Sequence, residues 1–264
     1  MVDDVQDRAT LRRGRASAHT VFGLGPAINA GTAAYFVFDH ALRTTVADDS
    51  RLRAAVYESC LSALRAAHAG QGLDLEGHRE EMDAAVAAGR GQQVLDLVRL
   101  THRLKSGAPV RACMETGALL AGAGPDVLAA MGSFGEVVGT SYQIVDDVLD
   151  LEGVVRRGKA TKRAGEDLFN GKVTLPLAHA VDLLPPTQMK RLWNGLRDGR
   201  AGRRRVGQAT DTLRACGALQ ARRSEAHAAL GRSWATLADL IGNSEKARTL
   251  WKMADQAVRR TRVA

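Results

Sequence analysis

The stretch DVLAAMGSFGEVVGTSYQIVDDVLD, residues 126–150, decides the fold class of this 264-residue chain. Along it Val127, Met131, Phe134, Val138, Tyr142, Val145 and Leu149 recur at spacings of three and four. That is the period of one helix face, not the period of two that marks a half-buried strand. The segment ends on Asp146, Asp147 and Asp150. Solvated acids are not expected at the end of so apolar a helix.

Outward from this segment the same periodicity returns. Leu52 to Leu73 reads as a helix with Leu52, Val56, Cys60, Leu61, Leu64, His68 and Leu73 along one face. Toward the C-terminus the pattern predicts helices over roughly Thr187–Gly195, Arg205–Arg222 and Glu225–Ile241, with one more near the end. Breakers separate these segments: Gly23 to Pro26, Gly89 to Gly91, Gly124-Pro125, Gly153 to Gly158 and Pro185-Pro186. The longest uncharged stretch, Thr20 to Phe38, holds Gly23, Gly25, Pro26, Asn29 and Gly31. It reads as a loop running into a buried helix rather than as a membrane span. Strand-like alternation is nearly absent, and no repeat or low-complexity linker divides the chain. The expectation is an all-α protein, one compact helical bundle over residues 1–264.

Composition agrees. Ala, Leu, Arg and Gly dominate, and aromatics are only 4%, a helix-forming mixture. The net charge of +8 sits largely in Arg200, Arg203, Arg204, Arg205, Arg222, Arg223, Arg259, Arg260 and Arg262. No stacking aromatics interleave with these, so a solvated loop and a charged tail are expected rather than a nucleic-acid surface. Cys60, Cys113 and Cys216 match no zinc or redox spacing and read as small, partly buried residues. The start, Met-Val-Asp-Asp, is not the basic-then-apolar pattern of a secretory signal, so a soluble, cytoplasmic protein is expected.

Two acidic clusters carry the chemistry: Asp3, Asp4 and Asp7, and Asp146, Asp147 and Asp150. On a helix, residues three and four apart share a face, so each cluster directs three carboxylates toward one small volume. Like charges that close repel one another unless a cation intervenes. Magnesium suits them, because it takes one or two carboxylates together with phosphate oxygens and waters. A lone DDxxD pattern also arises on any solvated acidic helix face. Two copies in one helical chain favour a diphosphate site.

At these residues the chain resembles the trans-isoprenyl diphosphate synthases, the polyprenyl synthetase family. DDVQDRATLRRGRASAHTVFG, Asp3 to Gly23, is similar to the family's first aspartate-rich motif with its trailing arginine pair. YQIVDDVLDLEG from Tyr142, followed by KRAGEDLFNGKVTLP ending at Pro176, is similar to the second motif and the segment after it. GQGLDL, Gly70 to Leu75, and the Lys105-Ser106 pair match two further signatures in the right order. The likeness runs from residue 2 to about 180 and fades beyond.

The resemblance implies an isoprenoid synthase-type helical bundle around a central cavity. It implies that Asp3, Asp4, Asp7, Asp146, Asp147 and Asp150 bind three magnesium ions. Arg12, Arg13, Lys105, Ser106, Lys162 and Lys172 would meet the diphosphates of the allylic substrate and of isopentenyl diphosphate, with Gln71 and Gln143 lining the cavity. By residue type alone, the arginines could be surface charges and each glutamine a helix-packing amide. Tyr35, Phe36 and Phe38 would pack near the hydrocarbon chain or simply in the core.

Departures are also visible. The first aspartates begin at residue 3, so the domain reads as N-terminally incomplete relative to the family, and a glycine-lysine-arginine segment that helps bind isopentenyl diphosphate has no counterpart. Lys162-Arg163 stands where a lysine-proline pair is usual, and Ser106 where threonine is. The implied activity is synthesis of a farnesyl- or geranylgeranyl-like diphosphate. A terpene cyclase of the same fold and a non-catalytic subunit of an active synthase are the alternatives. The implied assembly is a homodimer, or a heteromer with a full-length synthase.

Overall fold

The computed structural model describes residues 1–12, 14–46, 48–156, 159–162, 164–199 and 201–260; in 154–162 only the backbone is described. It divides into two compact units, Met1–Leu64 and Arg65–Ala264.

The first unit contains α1 (Val2–Gln6), a small antiparallel ladder of β1 (Leu11–Arg12) and β2 (Arg15–Ala16), then α2 (Ala18–Phe22), α3 (Leu24–Ala34), α4 (Val37–Thr45) and the first half of α5 (Ser50–Glu76). The Thr20–Phe38 stretch does run into a helix, α3, but the helix α2 precedes it where a loop was expected, and little of the stretch is buried. Ala27 and Gly31 are its buried residues in α3, whereas Phe22, Leu24 and Phe36 are exposed. The reason is local: α3 meets α1 through its small residues, with a Cβ at Gly31 falling 2.7 Å from Val2 Cγ2. Phe38 packs edge-on against Tyr57, ring centroids 5.7 Å apart, and the Tyr57 hydroxyl donates to Asp39.

The second unit starts in the last turns of α5 and continues through α6 (Arg79–Ala88), α7 (Gln92–His102), a π-helical turn (Arg103–Gly107), α8 (Ala108–Leu120) and α9 (Pro125–Glu152). A second antiparallel ladder, β3 (Val154–Arg156) with β4 (Lys159–Lys162), follows. Then come α10 (Glu166–Phe169), α11 (Leu175–Leu183), α12 (Pro186–Asn194), α13 (Arg203–Ala215), α14 (Ala218–Ile241) and α15 (Glu245–Val258).

The 28-residue α9 is the central element. It packs against α7, α8, α10, α11, α14, α15 and the π turn. Its Phe134, Val138, Val145, Val148 and Leu149 join Leu168, Leu175, Leu177, Trp193, Leu213, Leu230 and Leu237 in one core. On its other flank a Cβ at Gly139 would lie 2.2 Å from the carbonyl oxygen of Ser106. Only glycine lets the π turn come that close. Tyr142, counted by periodicity on the apolar face, is instead 41% exposed and covered by the Arg260 guanidinium, 3.6 Å above its ring.

Two boundaries differ from expectation. The break between the helices read as 205–222 and 225–241 falls at Gly217, whose φ of 80° ends α13 in the left-handed region that glycine adopts without strain. The stretch read as a breaker at Gly153 to Gly158 carries β3. Among the described residues no helix is long and apolar enough to cross a membrane.

Candidate active site

The second aspartate cluster sits at the C-terminal end of α9, and its three carboxylates have different surroundings. Asp150 is fully buried; its Oδ2 accepts the backbone N–H of Asp167 at 3.1 Å, and its carbonyl accepts that of Gly165 at 2.7 Å. Asp147 is 2% exposed, with Oδ2 accepting the N–H of Leu175 at 2.9 Å and lying 3.3 Å from His102 Nε2. Burial opposes the Asp147 charge, but His102, Lys172 and the Leu175 amide outweigh it and hold the carboxyl below its ordinary range. Asp146 is the accessible member, its side chain 34% exposed and its Oδ1 3.3 Å from Arg260 Nη1. Arg260 also donates from Nη2 to the Tyr142 carbonyl at 3.1 Å. Its own carbonyl accepts from Arg223, which pairs with Glu152.

Next to this helix end is the π turn. An extra residue per turn shifts the register of the side chains that follow, and such turns recur at functional sites. Here it presents Lys105 and Ser106 together. Ser106 Oγ donates to Gln143 Oε1 at 2.9 Å, which leaves the Gln143 amide NH2 to donate elsewhere. Lys105 Nζ lies 2.7 Å from Asp74 Oδ2. Lys172, in the segment before α11, reaches the same carboxylate at 2.9 Å from Oδ1 and 3.1 Å from Oδ2. Burial raises the Asp74 pKa, but Lys172 and Lys105 outweigh it and hold the carboxyl at about 2. Burial likewise opposes the Lys172 ammonium, and Asp167, Asp74 and Asp147 together hold its pKa well above the usual. Gln71 is half-buried on α5, one turn before Asp74.

In the first unit Asp3 and Asp4 lie on α1 and Asp7 is its C-cap, with the Asp7 N–H donating to the Asp3 carbonyl at 2.9 Å. Asp4 is 4% exposed. Arg12 stands on β1, not on a helix, because Arg8 turns the chain with a φ of 53°. From there Arg12 Nη1 is 3.0 Å from Asp4 Oδ1 and 3.7 Å from Asp3 Oδ2. Arg13 lies outside the described residues, and of Lys162 only the backbone, on β4, is described.

The structure thus brings Lys105, Ser106, Gln143, Asp146, Asp147, Asp150 and Lys172 to one end of α9, and Asp3, Asp4, Asp7 and Arg12 to one corner of the first unit. Sequence reasoning missed Asp74, His102 and Arg260 as members of the cluster. Asp74 was within reach, inside the GQGLDL stretch; nothing in the sequence pairs His102 or Arg260 with the aspartates.

A family model described as polyprenyl synthetase matches residues 1–213. The chain belongs to the polyprenyl synthetase family. This synthetase chain is 27% identical to the octaprenyl diphosphate synthase of Escherichia coli over 260 residues, covering 98% of itself and 74% of that protein. It is 32% identical to the farnesyl diphosphate synthase of Escherichia coli over 175 residues, 64% of this chain and 54% of the relative. Its fold matches the polyprenyl synthase of Caulobacter crescentus, solved in complex with calcium and isoprenyl diphosphate. That match has a TM-score of 0.79 at 26% identity and covers 98% of this chain and 73% of the other. The synthetase family consists of trans-prenyltransferases built from helices, as this chain is. Named relatives run from farnesyl to octaprenyl synthases, so membership does not set product length.

Among the described residues no three or more His, Cys, Asp or Glu side chains form a cage for a metal ion. A magnesium–diphosphate site asks for only one or two carboxylates, since phosphate oxygens and waters complete the octahedron. Asp3 and Asp146 are hard oxygen donors with solvent access, each carrying an arginine where a divalent cation would bind.

Proposed function

We propose that this chain is a magnesium-dependent prenyltransferase that condenses an allylic diphosphate with isopentenyl diphosphate, giving a short-chain product of farnesyl or geranylgeranyl length. The observation that carries this is the convergence of Lys105 and Lys172 on Asp74, with Lys172 also acting on Asp147 of the second aspartate cluster at the end of a core helix.

The chemistry asked of such residues is electrostatic. The carbon–oxygen bond of the allylic diphosphate breaks, and both electrons leave with the diphosphate. The double bond of isopentenyl diphosphate attacks the resulting carbocation, and loss of a proton restores an alkene. When bound, magnesium neutralises the diphosphate and stabilises its departure. Asp146, backed by Asp147 and Asp150, and the set Asp3, Asp4 and Asp7 are the residues that would hold the cations. Lys105 and Lys172 are point charges that meet the oxygens whose charge grows as the bond breaks. Arg12, Arg13 and Lys162 add further contacts to diphosphate, with arginine forks suited to paired oxygens. Ser106 fixes the Gln143 amide, and Gln71 lines the same region. A homodimer, read in light scattering as twice the chain mass, is the proposed assembly, and the cytoplasm its proposed location.

The test is product analysis by mass spectrometry. Purified protein receives magnesium, isopentenyl diphosphate and, in turn, dimethylallyl, geranyl or farnesyl diphosphate. Elongated diphosphates that vanish with a chelator and in Asp146→Ala are expected. Diphosphate release without elongation would turn the reading to a cyclase, and an untouched allylic substrate would overturn it.

A further inference from the structure

We propose that Asp74 is a positioning residue that holds Lys105 and Lys172 together as one diphosphate clamp. This deepens the functional reading above and rests on it.

Both ammonium groups touch the same oxygen, Asp74 Oδ2, at 2.7 Å and 3.1 Å. A structural ion pair needs one cation per anion. Here two cations share one carboxylate, and Lys172 also feels Asp167, and Asp147 of the second aspartate cluster. Without the carboxylate, two ammoniums this close would repel and swing apart on their four-carbon stems. Lysine has no fixed fork of its own, so its position must be imposed from outside.

The backbone is arranged for this contact. A Cβ at Gly70, one turn before Asp74, would fall 2.4 Å from the Lys105 backbone nitrogen, so α5 presses directly on the π turn. The Asp74 side chain is only 11% exposed, whereas those of Lys105 and Lys172 keep 22% and 26%. The carboxylate is the most buried of the three side chains.

Two readings predict opposite signs. If Asp74 merely neutralises charge, removing its carboxylate strengthens anion binding. If it positions the lysines, removing it weakens binding although the site becomes more positive. Calorimetric titration of the full chain with inorganic pyrophosphate and magnesium separates them. Asp74→Asn is expected to weaken pyrophosphate binding about tenfold or more, the scale of a misplaced contact group. Asp74→Glu, which keeps the charge, is expected to recover most of the loss. Equal or tighter binding by Asp74→Asn overturns the proposal while leaving the function standing; a native chain that binds no pyrophosphate overturns both. In the unaltered protein, amine-acylation mapping gives a readout independent of how the variants fold. Lys105 and Lys172 are expected to react more slowly than the exposed Lys246 and Lys252 before any ligand is added, and fast acylation of both would overturn the proposal.

Discussion

The two aspartate clusters share a spelling, DDxxD, and differ in what stands behind them. The first lies on a helix of five residues, with Asp7 at its end and Arg12 reaching back from a two-stranded ladder. The second closes a helix of 28 residues whose side chains form the core. In the second, Asp147 and Asp150 are tied to backbone amides of Leu175 and Asp167, so the cluster is part of the fold itself. In the first, Arg12 reaches Asp4 and Asp3 by its side chain. A motif therefore specifies donor atoms, while the surrounding structure decides how stiffly they are presented.

The largest expected difference is between Asp147→Ala and Asp3→Ala. Removing Asp147 strips the acceptor from the buried Leu175 amide and from His102, and should cost about 3 kcal/mol in urea denaturation together with all turnover. Removing Asp3 should lower turnover by about a hundredfold or more with an unchanged melting temperature. Equal destabilisation by the two would erase the distinction.

Next come two glycines. Gly139→Ala drives a Cβ to 2.2 Å from a backbone oxygen that cannot yield, and should destabilise by about 2 kcal/mol. Gly31→Ala meets the end of the Val2 side chain at 2.7 Å, and roughly 1 kcal/mol of helix propensity offsets the clash. Its melting temperature should stay close to that of the native protein.

A smaller effect should appear in acid. The folded-state pKa of Asp74, about 2, is depressed from 3.8. A depressed carboxyl stabilises the fold above its unfolded pKa and loses that contribution as pH falls through the folded one. Stability measured from pH 3.8 down to about 2 should therefore fall less steeply in Asp74→Asn than in the native chain.

The smallest change is expected from Arg260→Ala. Its pair with Asp146 is partly exposed and should be worth less than about 1 kcal/mol. Freed of that counter-ion, the variant should reach half-maximal turnover at a magnesium concentration a few-fold lower. An unchanged requirement would show that Arg260 does not compete with the cation.

Much of the helical order was legible. The three-and-four spacing found α9 to within a few residues, and the prolines at 185 and 186 marked the start of α12. Within Thr20–Phe38 the helix was legible, but its start and its exposure were not, because glycines and a proline usually interrupt helices; here they let short helices turn and touch closely. Tyr142 was misassigned because periodicity counts an aromatic ring as apolar, and cannot foresee an arginine from residue 260 lying over it. The two aspartate motifs and Lys105, Ser106, Gln143 and Lys172 were found from local spelling. Asp74 was spelled out in the same way, yet its role depends on two lysines 31 and 98 residues away.

The sequence by itself determined the helical class, the positions of the carboxylates and lysines, and the family. Each of these is written in short-range patterns: helix period, breaker residues, motif spacing. Only the tertiary structure decided which carboxylates are buried, that Asp74 joins Lys105 to Lys172, and that Arg260 rests on Asp146. Those pairings join segments up to 114 residues apart. They depend on how closely helices approach, which small residues such as Gly70 and Gly139 permit and the π turn redirects, and no local pattern encodes that geometry.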